Sequence, residues 1–320
     1  MKYIILSVFI SFSICSFSQT PIENGLSVIN RYNAETYIGV LASDSLQGRK
    51  AGQIGGVKAA QYIESVLMNM GLKPWRGKYE QSFTPDIFIG TANANTKLKN
   101  ILAYIPGRNT DEIVMIGAHY DHLGIGSPMG NDSIYNGADD NASGVSAILQ
   151  IAKAFLASGQ KPARTVVFAL WDGEEMGLLG STYFVENHFS YIPIPLTSAI
   201  PILGYINCDM IGRNKDGDGS HVSAFYSEAK PIFGQWIKSD IKKYDLALSP
   251  DFPSLGSSPG GSDHMPFMDK GVPVIFYNTD LHADYHRLSD EADKINYEKV
   301  VDITKLAFLN LWNMANLDTF

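Results

Sequence analysis

SGVSAILQIAKAFLASGQKPARTVVFALWDGEE, residues 143–175, carries a helix and a buried strand in succession. From Ser143 to Leu156 the apolar residues recur at helical spacing. Thr165 to Leu170 is a short apolar run rich in valine and phenylalanine, the pattern of a strand buried on both faces. Similar runs stand at Ile101 to Ile105, Ile113 to Ala118, Ile202 to Asn207 and Val272 to Tyr277. Helical patterns at Glu175 to Asn187, Ala229 to Lys243 and Tyr297 to Met314 separate them. Strands alternating with helices predict an α/β fold: one mixed, largely parallel central sheet with helices on both faces. Such sheets carry their sites at the C-terminal ends of the strands.

Upstream, Leu26 to Leu41 and Val57 to Met70 read as two helices joined by a loop from Asp44 to Gly56, with Gly71 stopping the second. They form a helical prologue over about residues 22–75. No internal repeat or long linker divides the chain, so residues 19–320 are expected to be a single domain. The Gly, Ser and Pro cluster at Pro253 to Ser262 reads as a loop over a site.

The chain has 320 residues, of which 45% are hydrophobic and 18% charged, with a formal charge of −8. That composition excludes a disordered tail, a fibre and a small disulfide scaffold. Without a basic stretch interleaved with aromatic residues, nucleic acid is excluded as a partner. Lys2, the apolar run Tyr3 to Ile14 and the small residues of Ser16-Phe17-Ser18 predict a signal peptide over residues 1–18. The run is shorter than the roughly 20 residues of a spanning helix, so no stable membrane insertion is expected after cleavage. The product is expected to be exported, periplasmic or secreted. Its one remaining cysteine, Cys208, permits no internal disulfide and is read as a small buried strand residue.

Acidic and imidazole residues fall repeatedly just after the predicted strands. AHYDH (118–122) offers His119, with Asp121 placed to accept from its second ring nitrogen. GADDNASG (137–144) enters a helix with two carboxylates and an asparagine; capping accounts for one of the three. FALWDGEEMGLLGS (168–181) ends a buried strand in acids. Glu175 can bind a metal while its neighbour Glu174 faces the water that the metal activates. INCDMIG (206–212) places Asp209 where a carboxylate needs a cation, either a metal or Arg213. HADYHRLSD (282–290) offers His282 and His286, one as ligand and the other as a solvated loop residue. DGDGS (216–220) resembles a calcium loop but has His221 and Ser227 where glycine and glutamate belong, so it reads as a turn. A nitrogen and carboxylate set without thiolate suits Zn²⁺, with Mn²⁺ or Co²⁺ as alternatives. More than four ligands implies two metals sharing a carboxylate.

In order and wording these five motifs, collinear from about Lys99 to Asp290, resemble the secreted co-catalytic zinc aminopeptidases. That family includes bacterial leucyl aminopeptidase, aminopeptidase Y and the glutamate carboxypeptidases. LASDSLQGRKAG (41–52) resembles the family's prologue. The resemblance implies a phosphorylase/hydrolase-like fold and two zinc ions: His119 and Asp209 on one, Glu175 and His286 on the other, Asp140 bridging both. Glu174 would be the general base, Asp121 would orient His119, and Tyr285 matches an oxyanion-stabilising tyrosine of the carboxypeptidase branch. The fourth residue of GADD bridges in that family, which selects Asp140 over Asp139, and its bond to Asn141 is often cis. The implied substrate is a peptide, hydrolysed at its N-terminal residue by a zinc-activated water. The alternatives are a one-zinc glutaminyl cyclase, for which Ser262, Asp263 and His264 speak, a dipeptidase or carboxypeptidase of the same family, and a non-catalytic binding protein on this fold.

Overall fold

A computed structural model of the chain describes residues 19–85, 96–189, 200–257 and 261–320. The predicted signal peptide lies outside the described residues, as does part of the Pro253 to Ser262 loop. The helices are α1 (Pro21–Ser27), α2 (Arg31–Leu41), α3 (Ile54–Asn69), α4 (Gly144–Ala157), α5 (Leu179–Phe189), α6 (Ile232–Lys243), α7 (Met265–Asp269) and α8 (Tyr297–Asn316). The strands are β1 (Lys73–Pro74), β2 (Glu80–Phe83), β3 (Leu98–Ile105), β4 (Asn109–His119), β5 (Gly124–Met129), β6 (Asp132–Tyr135), β7 (Arg164–Trp171), β8 (Ile202–Cys208), β9 (His221–Tyr226), β10 (Ser249–Asp251) and β11 (Val274–Asn278).

The main sheet runs β1-β3-β7-β4-β8-β11-β9-β10, with β2 also on β3, while β5 and β6 form a separate hairpin. Its centre, β7-β4-β8-β11, is parallel, and β3 and β9 flank it antiparallel. The α/β expectation therefore holds, and the five apolar runs are the five inner strands.

Alternation along the strands explains the layers. In β7, Val166, Phe168 and Leu170 face the layer that holds α4 and α8, while Val167, Ala169 and Trp171 face α5 and α7. On the first face Phe155 of α4 meets the rings of Phe308 and Trp312 of α8, with centroids 5.4 and 5.5 Å apart. On the second, Tyr205 stacks on Phe267 at 3.9 Å. Truncating Phe155 or Phe267 to alanine would cost about 3–5 kcal/mol.

Three expectations are corrected. Leu26 to Leu41 is two helices, because Thr20 caps α1 in a capping box with Glu23 and Asn30 opens α2 by accepting from Asn33 N. The predicted loop from Asp44 holds a tight helical turn, Asp44–Arg49, and α3 already begins at Ile54. The helix expected from Glu175 begins only at Leu179, since Glu174 to Leu178 form a turn and Leu178 sits at φ 60°. The edge strands β1, β2 and β10 and the β5–β6 hairpin are short or exposed enough to lack an apolar signature, and β9, buried between β11 and β10, has its apolar residues broken by Ser223. DGDGS is a turn, with a bridge between Lys215 and Asp218.

Candidate metal centre

Because β4, β7 and β8 are parallel neighbours, their C-terminal ends open on one edge, and each delivers an acid or a histidine there. His119 ends β4, Glu174 and Glu175 follow β7, and Asp209 follows β8. Asp140 comes from the irregular turn before α4 and His286 from the loop after β11.

The six side chains form two groups that meet at Asp140. In the first, His119 Nε2 lies 3.3 Å from Asp209 Oδ1, 3.4 Å from Asp140 Oδ1 and 4.0 Å from Glu174 Oε2. In the second, His286 Nε2 lies 3.2 Å from both Asp140 Oδ2 and Glu175 Oε2. The two oxygens of one carboxylate thus serve two separate ligand sets. His119, Glu174 and Asp209 have donor atoms close enough together to hold an ion, as do His122, Asp140 and Glu175. His286 Nε2 is buried with no hydrogen-bond partner, as a nitrogen aimed at an ion would be. Histidine nitrogen with carboxylate oxygen is a donor set that fits zinc.

The surroundings orient these groups. His119 Nδ1 donates to the Asp121 carbonyl at 3.2 Å, which leaves Nε2 for the site. The Asp121 carboxylate is farther, at 3.8 Å, and accepts instead from Glu174 N at 3.0 Å. Asp121 therefore orients the histidine with its backbone and the Glu174 turn with its side chain. Ser262 Oγ donates to Asp209 Oδ2 at 2.7 Å and itself accepts from Asn207 Nδ2. Asp290 accepts from the backbone N–H groups of Asp139 and Asp140.

Several open readings resolve here. Asn141 is the capping member of its motif, because its Oδ1 accepts from Gly144 N at 2.9 Å. Asp139 is fully buried behind the site, accepting from Gly212 N at 2.6 Å. Arg213 does not pair with Asp209; it binds Asp284 at 2.6 Å and approaches Asp290 at 3.7 Å. His282 is not a solvated loop residue: its side chain is 7% exposed and its Nε2 lies 3.2 Å from Asp139 Oδ2. Tyr285 lines the cleft with its ring stacked on His286 at 3.8 Å. The Asp140–Asn141 peptide bond is cis.

Two residues were not selected from the sequence. His122 donates to Glu175 Oε1 at 2.8 Å, and the only available signal was its place two residues beyond Tyr120 in the first motif. Arg49 is buried beneath Asp140, and its motif gave no hint of a polar role in the site.

Crowded carboxylates decide the electrostatics. Burial pushes Glu174 well above the usual carboxylate range, and Asp209, Asp263 and Glu175 add to it against His119. Burial acts on Glu175 in the same direction, but the hydrogen bond from His122 and the nearness of His286 outweigh it and hold that group below its ordinary value. Burial disfavours charge on His286 too, yet the neighbouring carboxylates of Asp140 and Glu175 raise it to about 10. Adjacent glutamates are thus driven apart, one toward holding a proton and the other toward staying ionised.

The groups face a cleft of 270 Å³ whose other walls include Leu178, Met210, Phe276 and Leu281, with no lysine or arginine among the described lining residues. Among the described residues no helix is long and apolar enough to cross a membrane.

Residues 100–310 match the model of Peptidase family M28. The chain is 28% identical over 259 residues to leupeptin-inactivating enzyme 1 of Streptomyces exfoliatus, covering 80% of this chain and 50% of that protein. It is 28% identical over 303 residues to probable leucine aminopeptidase 2 of Aspergillus oryzae, covering 85% and 57%. The chain therefore spans about half the length of these relatives. Among solved structures, the LapA aminopeptidase of Legionella pneumophila superimposes with a TM-score of 0.71 at 22% identity, over 92% of this chain and 74% of that one. The glutaminyl cyclase of Fimbriiglobus ruber also reaches 0.71, at 16% identity over 89% and 95%, so the fold does not separate the two activities.

Proposed function

Since the chain belongs to Peptidase family M28, we propose that it is an exported two-zinc aminopeptidase that removes N-terminal residues from peptides. The observation that carries this reading is Asp140, whose Oδ1 faces His119 and whose Oδ2 faces His286. A one-metal cyclase has no use for the second set. His119 and Asp209 would hold one ion, Glu175 and His286 the other, and Asp140 both.

Bound zinc would supply Lewis acidity, lowering the pKa of a water and polarising the scissile carbonyl. Glu174, at the rim of the first set and not needed as a ligand, takes the proton of the attacking water and passes it to the leaving amine. His122 keeps Glu175 ionised and aligned through the bond at Oε1. Tyr285, whose ring stacks on His286, would donate to the oxyanion that develops on the carbonyl.

The cleft also bears on which end of a peptide is read. Apart from the metal ions themselves, the described walls carry no lysine or arginine to pair with a substrate carboxylate, whereas Glu174, left free of the metals, complements a free α-ammonium. This favours an aminopeptidase over a carboxypeptidase. Leu178, Met210, Phe276 and Leu281 favour an apolar first side chain. Export rests on the composition of residues 1–18 alone.

The test is mass spectrometry of a defined peptide mixture incubated with the protein and zinc. Stepwise N-terminal shortening, abolished by a chelator, is the expected result. Loss of ammonia from N-terminal glutamine alone would mean a cyclase, and C-terminal shortening would mean a carboxypeptidase. Glu174→Gln is expected to keep both zinc ions and lower kcat by about 10²–10⁴; parallel loss of zinc would make Glu174 a ligand.

A further inference from the structure

Arg49 lies in the prologue motif to which the proposed chemistry gives no role. The turn that delivers it is conformationally demanding: Gln47, Gly48 and Arg49 all have φ between 50° and 62°. A side chain at Gly48 would collide with the carbonyls of Gly124 and Tyr135 at 2.5 Å, so the turn is pressed onto the β5–β6 hairpin. This drives the Arg49 side chain inward, where it is 0% exposed.

All five of its N–H donors are used, each on a backbone carbonyl. Nε donates to Tyr120 at 2.8 Å. Nη1 donates to Leu41 at 2.7 Å and Asn136 at 2.6 Å. Nη2 donates to Gly137 at 2.8 Å and Asp140 at 3.3 Å. The Arg49 carbonyl accepts from His122 N at 3.4 Å. Four of the five acceptors belong to two loops: Tyr120 sits between His119 and Asp121, and 136, 137 and 140 bring in the bridging carboxylate. No carboxylate is among its hydrogen-bond partners. Its charge is balanced at longer range by Asp140, Asp290, Asp121 and Glu175.

We propose that Arg49 is the positioning residue of the metal centre: one buried guanidinium ties the His119 loop to the Asp140 loop and sets the spacing at which Asp140 faces both ligand sets. The inference rests on the two-zinc reading. A planar five-donor fork can reach five carbonyls, four of them in two loops, and a lysine ammonium, with three donors at one point, cannot.

The experiment measures zinc affinity by competition with a chelating dye, and kcat and KM on a peptide substrate, for the full chain and for Arg49→Lys, Arg49→Gln and Arg164→Lys. Arg164 is the matched control. It too is buried and donates to backbone carbonyls, those of Met314, Leu317 and Asp318, with its Nε on Glu112 Oε2 at 2.7 Å, but it starts β7 at the end of the strand away from the site. Arg49→Gln is expected to lower the affinity for at least one zinc by tenfold or more and to lower kcat with little change in KM. Arg49→Lys should lose less than Arg49→Gln, while Arg164→Lys lowers Tm and leaves zinc affinity at the wild-type value. Wild-type zinc affinity and kcat in both folded Arg49 variants would overturn the proposal. Should neither variant fold, the ¹⁵N-arginine spectrum of the wild type decides: the Arg49 Nε–H resonance is expected to move as zinc is added, and a fixed resonance through full loading would overturn it. A wild type that takes up no zinc would instead refute the two-zinc reading on which the proposal stands.

Discussion

Asn141→Ala removes a fully buried amide that connects helix α4 to the end of β8. Its Oδ1 accepts from Gly144 N at 2.9 Å and from Met210 N at 3.3 Å, and its Nδ2 donates to the Cys208 carbonyl at 3.0 Å. Alanine leaves these three backbone groups without that partner, in a place with no solvent. An orphaned buried group costs about 1–3 kcal/mol, and the long bond to Met210 belongs at the bottom of that range. A water entering the space left by the amide would recover part of the loss. The expected destabilisation is about 3–5 kcal/mol. Because Asp209 lies between Cys208 and Met210, zinc affinity should fall as well. Urea unfolding of the zinc-free protein, followed by tryptophan fluorescence, isolates the first effect from the second. The midpoint should drop with an unchanged m-value. A loss below about 1 kcal/mol in the zinc-free protein would refute the assignment of Asn141 as the connection between α4 and β8.

Ser262→Ala removes the 2.7 Å bond to Asp209 Oδ2 and is expected to weaken zinc binding by about 1–2 kcal/mol, read by dye competition; unchanged affinity would show that Asp209 needs no such support. Asp240 is raised to about 6, chiefly by burial, with bonds from Asn310 and Asn313 opposing. A carboxyl raised in the folded state binds more protons there than when unfolded, so stability is fully present below about pH 4 and falls as pH rises through about 6. Asp240→Asn should therefore raise stability at pH 7 by about 1 kcal/mol after solvent screening and leave it unchanged at pH 4. Zinc at 100 times its Kd should stabilise the protein by about 2.7 kcal/mol and raise Tm, an effect that a chelator reverses; a Tm indifferent to zinc would argue against a preformed centre.

The inner sheet was legible because β3, β4, β7, β8 and β11 are each a continuous apolar run, a pattern imposed by burial on both faces. The outer elements obey no such constraint. β5 reads GIGSPM, with four of its six residues polar, small or proline, and it pairs only with β6. The acids at the strand ends could be found because a carboxylate after a buried strand needs a reason to be there. What the sequence could not supply was direction. Asp121 reaches His119 through its carbonyl and not its carboxylate, and His282 turns inward to Asp139, because loop backbones choose the side on which a polar group ends. Arg49 was the hardest to read, since all its partners are backbone carbonyls, and carbonyls leave no trace in residue identity.

The order of strands also makes the centre a cross-link. His119, Asp140, Glu175, Asp209 and His286 are drawn from across about half of the chain, and no two of them are sequence neighbours. Among the described residues the lone thiol is Cys208, so no disulfide can join these segments. Ions bound there would close successive loops of tens of residues, much as a set of disulfides does, and would be held only after β7, β4 and β8 had assembled. Metal occupancy would then report completion of the sheet, and stripping the metal would loosen the same strands that carry the chemistry.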